Sequence, residues 1–462
     1  MIKYSRGSGL RTLIFLVFVV AVLVAAGFVL TRSGPDPTIA IEPAAKVIGR
    51  KTPVTIRVDE PKRGIGPVRV ELIQGDAVQR LAESNNPVPP AWKFWSKGKT
   101  NETIQVNVGK EAVKDLKAGT AIIRVTAERI PAVLRHPQPV VTQVELPVRL
   151  VPPTVQVMST FTYVSQGGAE AVVYRVGETA TRDGVRAGTR FFPGYPLPGG
   201  GARDRFALFS VPYDMDEVSS VKVIASDDAG NESEVGFIEK FFAKPLRRDT
   251  IALSDAFMQK VTTEIMSQTP ELADKGNVLD NYLQINRELR KKNNAFIVGL
   301  TAKTKQEFLW KQPFLPMVNT AIKAHFADRR SYVYNDKSVD EQDHLGLDMA
   351  STKADNVPAS NDGIIVFAGY LGIYGNCVII DHGYGLQTLY GHLSSIAVKE
   401  GDKIARGQAL GRSGATGLAG GDHLHFAVML DGLPVSPIEW FDAKWIRDRL
   451  KLKLGNALPF NG

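Results

Sequence analysis

The chain reads as a mainly β, multidomain protein with an apolar helix at its N-terminus and a short helical stretch before its last domain. Three observations predict this. Apolar residues alternate with polar ones in many short runs before residue 250. Helical spacing of apolar residues begins only after that point. Five of the seven histidines fall between 344 and 425, among closely spaced glycines. The 462 residues allow about three domains, each able to bury a core. A composition of 44% hydrophobic and 23% charged residues excludes wholesale disorder and collagen. The +8 charge suits an anionic surface without singling one out.

Residues Leu13 to Leu30 carry no charge, and Lys3, Arg6 and Arg11 precede them. A signal-peptide core is usually about 7–15 residues, whereas a spanning helix takes roughly 17–25. The run therefore favours an uncleaved signal anchor over a cleaved peptide, with residues 1–34 as cytoplasmic tip and transmembrane helix. The basic flank stays cytoplasmic, so the rest of the chain is expected on the periplasmic, extracytoplasmic side of the cytoplasmic membrane.

Val54, Ile56 and Val58 alternate, as do Val68, Val70 and Leu72, and Ile104, Val106 and Val108. This is the pattern of half-buried strands, and residues 35–150 are expected to form a β-sandwich spacer. Pro147, Pro152 and Pro153 mark a boundary. Val172-Val173, Phe206 to Val211 and Val221 to Ile224 outline a second sandwich over 151–246. Its Asp227-Asp228-Ala229-Gly230-Asn231 segment resembles the last hairpin turn of bacterial immunoglobulin-like modules, which makes both spacers immunoglobulin-like by expectation. Residues 247–310 form the helical linker. Ser254 caps a helix bearing Phe257, Val261 and Ile265, and a second stripe from Val278 to Leu289 is expected to end at Arg290-Lys291-Lys292.

Residues 311–462 hold the chemistry. His344 and Asp348 stand at i and i+4, which in extended backbone places them on one face. His423 and His425 stand at i and i+2 of a strand and share a face, and His392 follows Tyr390-Gly391. Imidazole and carboxylate together suit zinc, whose catalytic sites keep three protein ligands and one open position. The single cysteine, Cys377, lies in an apolar run and excludes disulfides and cysteine-based zinc sites. Gly411 to Gly417 lacks the Gly-Lys-Ser/Thr of a phosphate loop, and no nucleic-acid motif is present. Trp92 and Trp95 have the chemistry to stack on sugars, although packing is the commoner use of isolated aromatics.

The motifs His344-Leu-Gly-Leu-Asp348, Tyr374-Gly-Asn376, Asp381-His-Gly383, Tyr390-Gly-His-Leu-Ser394, Gly414-Ala-Thr-Gly417 and His423-Leu-His-Phe426 resemble the catalytic domain of the lysostaphin/LytM-type zinc metallopeptidases. Those enzymes cut peptide cross-links of bacterial peptidoglycan. The resemblance implies an antiparallel β domain with a narrow groove and one Zn2+ held by His344, Asp348 and His425. It makes His392 and His423 the catalytic pair, and peptidoglycan the partner. His382 is read as structural. Ala427 and Ser436 depart from the family pattern without removing a ligand. The acidic residues Asp340, Glu341 and Asp343 suggest a solvated loop, and Phe308 to Pro316 or the helical stretch is a candidate cover for the groove. The expected function is a membrane-anchored zinc endopeptidase of the cell wall. The alternatives are a non-catalytic regulator of another wall hydrolase, or an envelope scaffold binding proteins through its β spacers.

Overall fold

The computed structural model describes residues 8–31, 34–93 and 95–462. Two compact units result: Met1–Pro153 with Ser226–Glu232, and Thr154–Ala225 with Ser233–Gly462.

The first unit begins with helix α1, Ser8–Thr31. Residues 1–7 of the expected cytoplasmic tip lie outside the described residues. So do the side chains of Phe28 and Val29, near the end of the expected span. Among the described residues no helix is long and apolar enough to cross a membrane. The side chains from Leu13 to Phe18 are nonetheless exposed, although all are apolar. After α1, a three-stranded and a four-stranded antiparallel sheet share one core. Val54, Ile56 and Val58 point inward from Thr52–Asp59, and Val68, Val70 and Leu72 from Ile65–Gln74, as their alternation requires. Trp92 and Trp95 are exposed and meet edge to face.

In the second unit, two four-stranded sheets come first. The strand Ala169–Val176 is buried on nearly every residue, because both of its faces are covered. Its core is continuous with that of the C-terminal region: Val172, Phe206 and Val223 belong to one cluster with Trp310, Val428 and Phe460. Phe308–Pro316 is part of this core rather than a cover. Trp310 and Phe314 are fully buried, with ring centroids 6.0 and 5.5 Å from Trp440. The expectation that this segment closes the groove is therefore corrected: lifting it would open the core.

Helix α2, Asp255–Gln268, starts where Ser254 accepts a hydrogen bond from the Phe257 amide, and it buries Met258, Val261 and Ile265. Helix α3, Val278–Gln284, passes through a π-helical turn, Ile285–Leu289, into α4, Arg290–Leu300. The basic triplet at 290–292 thus lies inside a continuing helix, not at its end. Extra residues in the π turn keep Ile297 and Leu300 facing the sheet, so packing outweighs the terminal preference of basic residues.

The C-terminal sheet has eight strands and is antiparallel throughout. Leu424–Leu430 lies between Leu347–Ala350 and Leu386–Leu393. Its register sets Asp348 opposite His425, and Gly391 beside His425 on the other edge. The residues Asp340, Glu341 and Asp343 lie on a strand, Lys337–His344, rather than in a loop. Asp340 pairs with Arg287 and Asp343 with Arg329, so these acids serve cross-element pairing.

Candidate active site

Three strands deliver the expected metal ligands. His344 ends Lys337–His344, Asp348 lies in Leu347–Ala350, and His425 in Leu424–Leu430. In one continuous strand, residues i and i+4 would lie about 13 Å apart. Here the Nε2 of His344 is 2.9 Å from Oδ1 of Asp348. The chain leaves strand geometry at Leu345 and Gly346, and this bend, not a shared strand face, brings the pair together. Gly346 is required there: a Cβ would lie 2.7 Å from the His425 ring and 2.7 Å from the Phe426 carbonyl oxygen.

The donor atoms fit a small cation. The Nδ1–H of His344 donates to the carbonyl of His325 at 2.9 Å, and a carbonyl only accepts. A neutral His344 ring therefore aims the lone pair of Nε2 at Asp348 Oδ1 and at Nδ1 of His425, 3.1 Å away. His425 Nδ1 is itself 2.9 Å from Asp348 Oδ1. Three electron-pair donors at these spacings repel unless a cation or proton is shared among them. Two ligands each about 2.0–2.1 Å from a tetrahedral zinc lie roughly 3.3 Å apart. The triangle needs only a few tenths of an ångström of expansion. The carbonyl of His325 is the kind of outer partner that fixes a ligand's tautomer. The sequence gives no sign of it, because the partner is backbone.

The electrostatics agree. With a proton rather than a cation shared among the donors, burial would still raise the Asp348 carboxyl, but a protonated His344 and hydrogen bonds from His344, His423 and His425 outweigh it and hold it well below the ordinary carboxylate range. Asp348 Oδ2 also accepts from Nη2 of Arg330 at 3.0 Å. Burial pushes His425 down to about 4, which favours the neutral ring a metal needs.

His392 and His423 stand beside this group, their ring centroids 4.8 Å apart, and His392 is 5.8 Å from the His425 ring. Each donates Nδ1–H to a backbone carbonyl, His392 to Thr416 and His423 to Gly421, both at 2.8 Å. Both rings therefore keep Nε2 for chemistry, and that of His423 lies 3.6 Å from Asp348 Oδ1. His392 has a positive φ of 64°, a strained conformation for a non-glycine residue and one that clusters at functional sites. All five expected site residues line one pocket of about 340 Å³, together with Phe257, Tyr282, Arg290 and Tyr374.

His382 lies outside it. Its Nδ1 and Nε2 meet the Asp362 carbonyl and the Thr388 hydroxyl at 2.7 and 2.8 Å, and it is fully buried, as a structural histidine would be. Cys377 is buried in the apolar layer under α4, and burial pushes its thiol pKa up, away from reactivity. The arginines of the pocket escape sequence reasoning. No motif contains Arg290 or Arg330, and only tertiary packing brings them in.

A sheet-borne group of two histidines and an aspartate is arranged so that it could hold a metal ion, and two further histidines stand beside it. Residues 342–437 match Peptidase family M23, so the C-terminal region carries a domain of that type. The family is zinc-dependent. Over 123 residues, 27% of this chain and 27% of the relative, it is 38% identical to the DD-carboxypeptidase/endopeptidase Mpg of Neisseria meningitidis serogroup B. Over 202 residues, 43% of this chain and 44% of the relative, it is 29% identical to the peptidoglycan DD-endopeptidase ShyA of Vibrio cholerae. The chain thus spans less than half the length of these curated relatives. The catalytic domain of lysostaphin from Staphylococcus simulans aligns over 31% of this chain and 96% of its own, at 25% identity and a TM-score of 0.20.

Proposed function

We propose that the protein is a zinc endopeptidase that hydrolyses peptide cross-links of bacterial peptidoglycan. The observation that carries this reading is the convergence of His344, Asp348 and His425 beside the His392–His423 pair in one pocket. His344, Asp348 and His425 would hold one Zn2+. When bound there, zinc supplies Lewis acidity toward the scissile carbonyl and a more acidic water.

The chain's own residues do the rest. Asp348 is fixed through Oδ2 by Arg330, which leaves Oδ1 to face the histidines. The Nε2 atoms of His392 and His423 are placed to accept the proton of the attacking water and to protonate the departing amine. Their Nδ1 bonds to Thr416 and Gly421 hold both rings in the tautomer this needs. Names of relatives support the substrate class, since Mpg and ShyA are called endopeptidases. A regulator without catalysis would be expected to lack ligands, and here none is missing.

We further propose that α1 holds the protein at the cytoplasmic membrane, with the remainder outside the cytoplasm. The uncharged run Leu13 to Leu30, the basic flank before it and the exposed apolar side chains of α1 support this. Tethering suits an enzyme whose polymer substrate is insoluble.

The test is metal content and muropeptide release on the detergent-solubilised full chain. Zinc near one per chain, with new peptide termini that vanish on chelation, is the expected result. His344→Ala or His425→Ala should lose metal and cleavage together, whereas His423→Ala should keep metal and lose turnover. Normal cleavage by His423→Ala would overturn the assignment.

A further inference from the structure

The pocket is unevenly charged. Among the described residues lining it, Asp348 is the carboxylate, while Arg290 and Arg330 both contribute guanidinium groups. Arg330 is engaged by Asp348. Arg290 is not so engaged: among the described residues no carboxylate forms an ion pair with it, and the hydrogen bonds of its guanidinium run to Asn286 alone.

Those bonds come from the π-helical turn. In an α-helix the Arg290 amide would donate to the carbonyl of residue 286. Here it reaches the carbonyls of Ile285 and Arg287 instead, which leaves the Asn286 carbonyl to accept from Arg290 Nε at 3.1 Å. The Asn286 side-chain oxygen accepts from Nη2 at 2.6 Å. Asn286 is fully buried and is itself anchored by donating to Asp340 at 2.8 Å. The guanidinium is therefore gripped from one side by two neutral acceptors. A guanidinium has five N–H donors, so two are used and three remain, enough for a bidentate grip on a carboxylate. Such turns recur at functional sites. Arg290 is half-buried and lines the cavity together with Tyr282 and Tyr374.

We infer that Arg290 is the carboxylate anchor of this pocket, binding an anionic end of the peptide substrate next to the metal ligands. The substrate class is then a peptide with a free carboxylate close to the scissile bond, in preference to one that is amidated or extended there. The inference rests on the peptidase reading, and it gives the helical linker a part in substrate choice.

The test uses the full chain, zinc-loaded, with His423→Ala to slow turnover. Titration calorimetry compares a tripeptide ending in D-Ala-D-Ala with its C-terminal amide. The free acid should bind roughly tenfold more tightly or better. Adding Arg290→Gln should erase that gap, and Arg290→Lys should restore part of it. A merely structural role would weaken both peptides alike and leave the ratio intact. Equal affinities before the Arg290 change, a gap that survives Arg290→Gln, or binding of neither peptide would each overturn the inference. Loss of the gap at Arg290, when the protein with His423 intact cuts no sacculi, would sink the hydrolase reading instead and leave the anchor standing.

Discussion

The Nζ of Lys453, near the C-terminus, lies 3.0 Å from Oε1 of Glu170, on a strand almost three hundred residues earlier, and both side chains are buried. Lys453 also donates to the Ala171 carbonyl at 3.1 Å. Burial raises the Glu170 carboxyl to about 7 and lowers the Lys453 ammonium, with the pairing working against both shifts. Removing either partner leaves an uncompensated charge. Glu170→Met or Lys453→Met alone should therefore cost about 3–5 kcal/mol in denaturant unfolding. The double replacement should recover most of that loss, because the desolvation of both ions goes with them. Additive losses in the double variant would refute this account.

Gly346→Ala tests the bend that assembles the metal ligands. The added Cβ meets backbone at Phe426 as well as the His425 ring, so no side-chain rotation relieves it. Zinc content should fall sharply, and the unfolding midpoint should fall as well, because buried backbone has to shift. Full zinc occupancy in this variant would show that the bend is not needed.

Asp431 lies in the tight turn between Leu424–Leu430 and Leu433–Val435, with a φ of 46°. Burial raises its carboxyl to about 7. The folded state then binds a proton that the unfolded state has lost, so this group's contribution is complete below about pH 4 and disappears as pH rises through 7. Asn tolerates left-handed backbone and carries no charge. Asp431→Asn should match the parent at pH 4 and exceed it at pH 8 by on the order of 2 kcal/mol. Thermal melts across that range measure the difference, and a gap that shrinks with rising pH would contradict the sign.

Trp310 closes an aromatic cluster with Phe314, Trp440 and Phe460. Trp310→Ala should cost about 3–5 kcal/mol. It should not raise muropeptide release, as removing a cover would. A gain in muropeptide release at unchanged stability would revive the covering role.

The candidate ligands were legible because their chemistry is carried by side chains in short motifs. The strand Thr52–Asp59 was legible too: Val54, Ile56 and Val58 alternate, and one buried face is what alternation encodes. The strand Ala169–Val176 behaves differently. Buried on both faces, it looks the same in sequence whether its second face meets a sheet, a helix or another domain. Its junction with the C-terminal helices, sealed by Lys453, was therefore hidden. Arg290 was hidden for another reason. Its orientation depends on a π turn, and the apolar stripe from Val278 to Leu289 reads as ordinary helix.

The continuity of the second unit's core also bears on what can be exchanged between proteins. The recognisable motifs end at Pro437, but a graft that began at residue 311 would cut through the packing of Trp310 and strip Val172 and Phe206 of their neighbours. The smallest piece that could be transplanted with its interior intact reaches back to Thr154. In this chain the heritable module is much larger than the signature by which it is recognised.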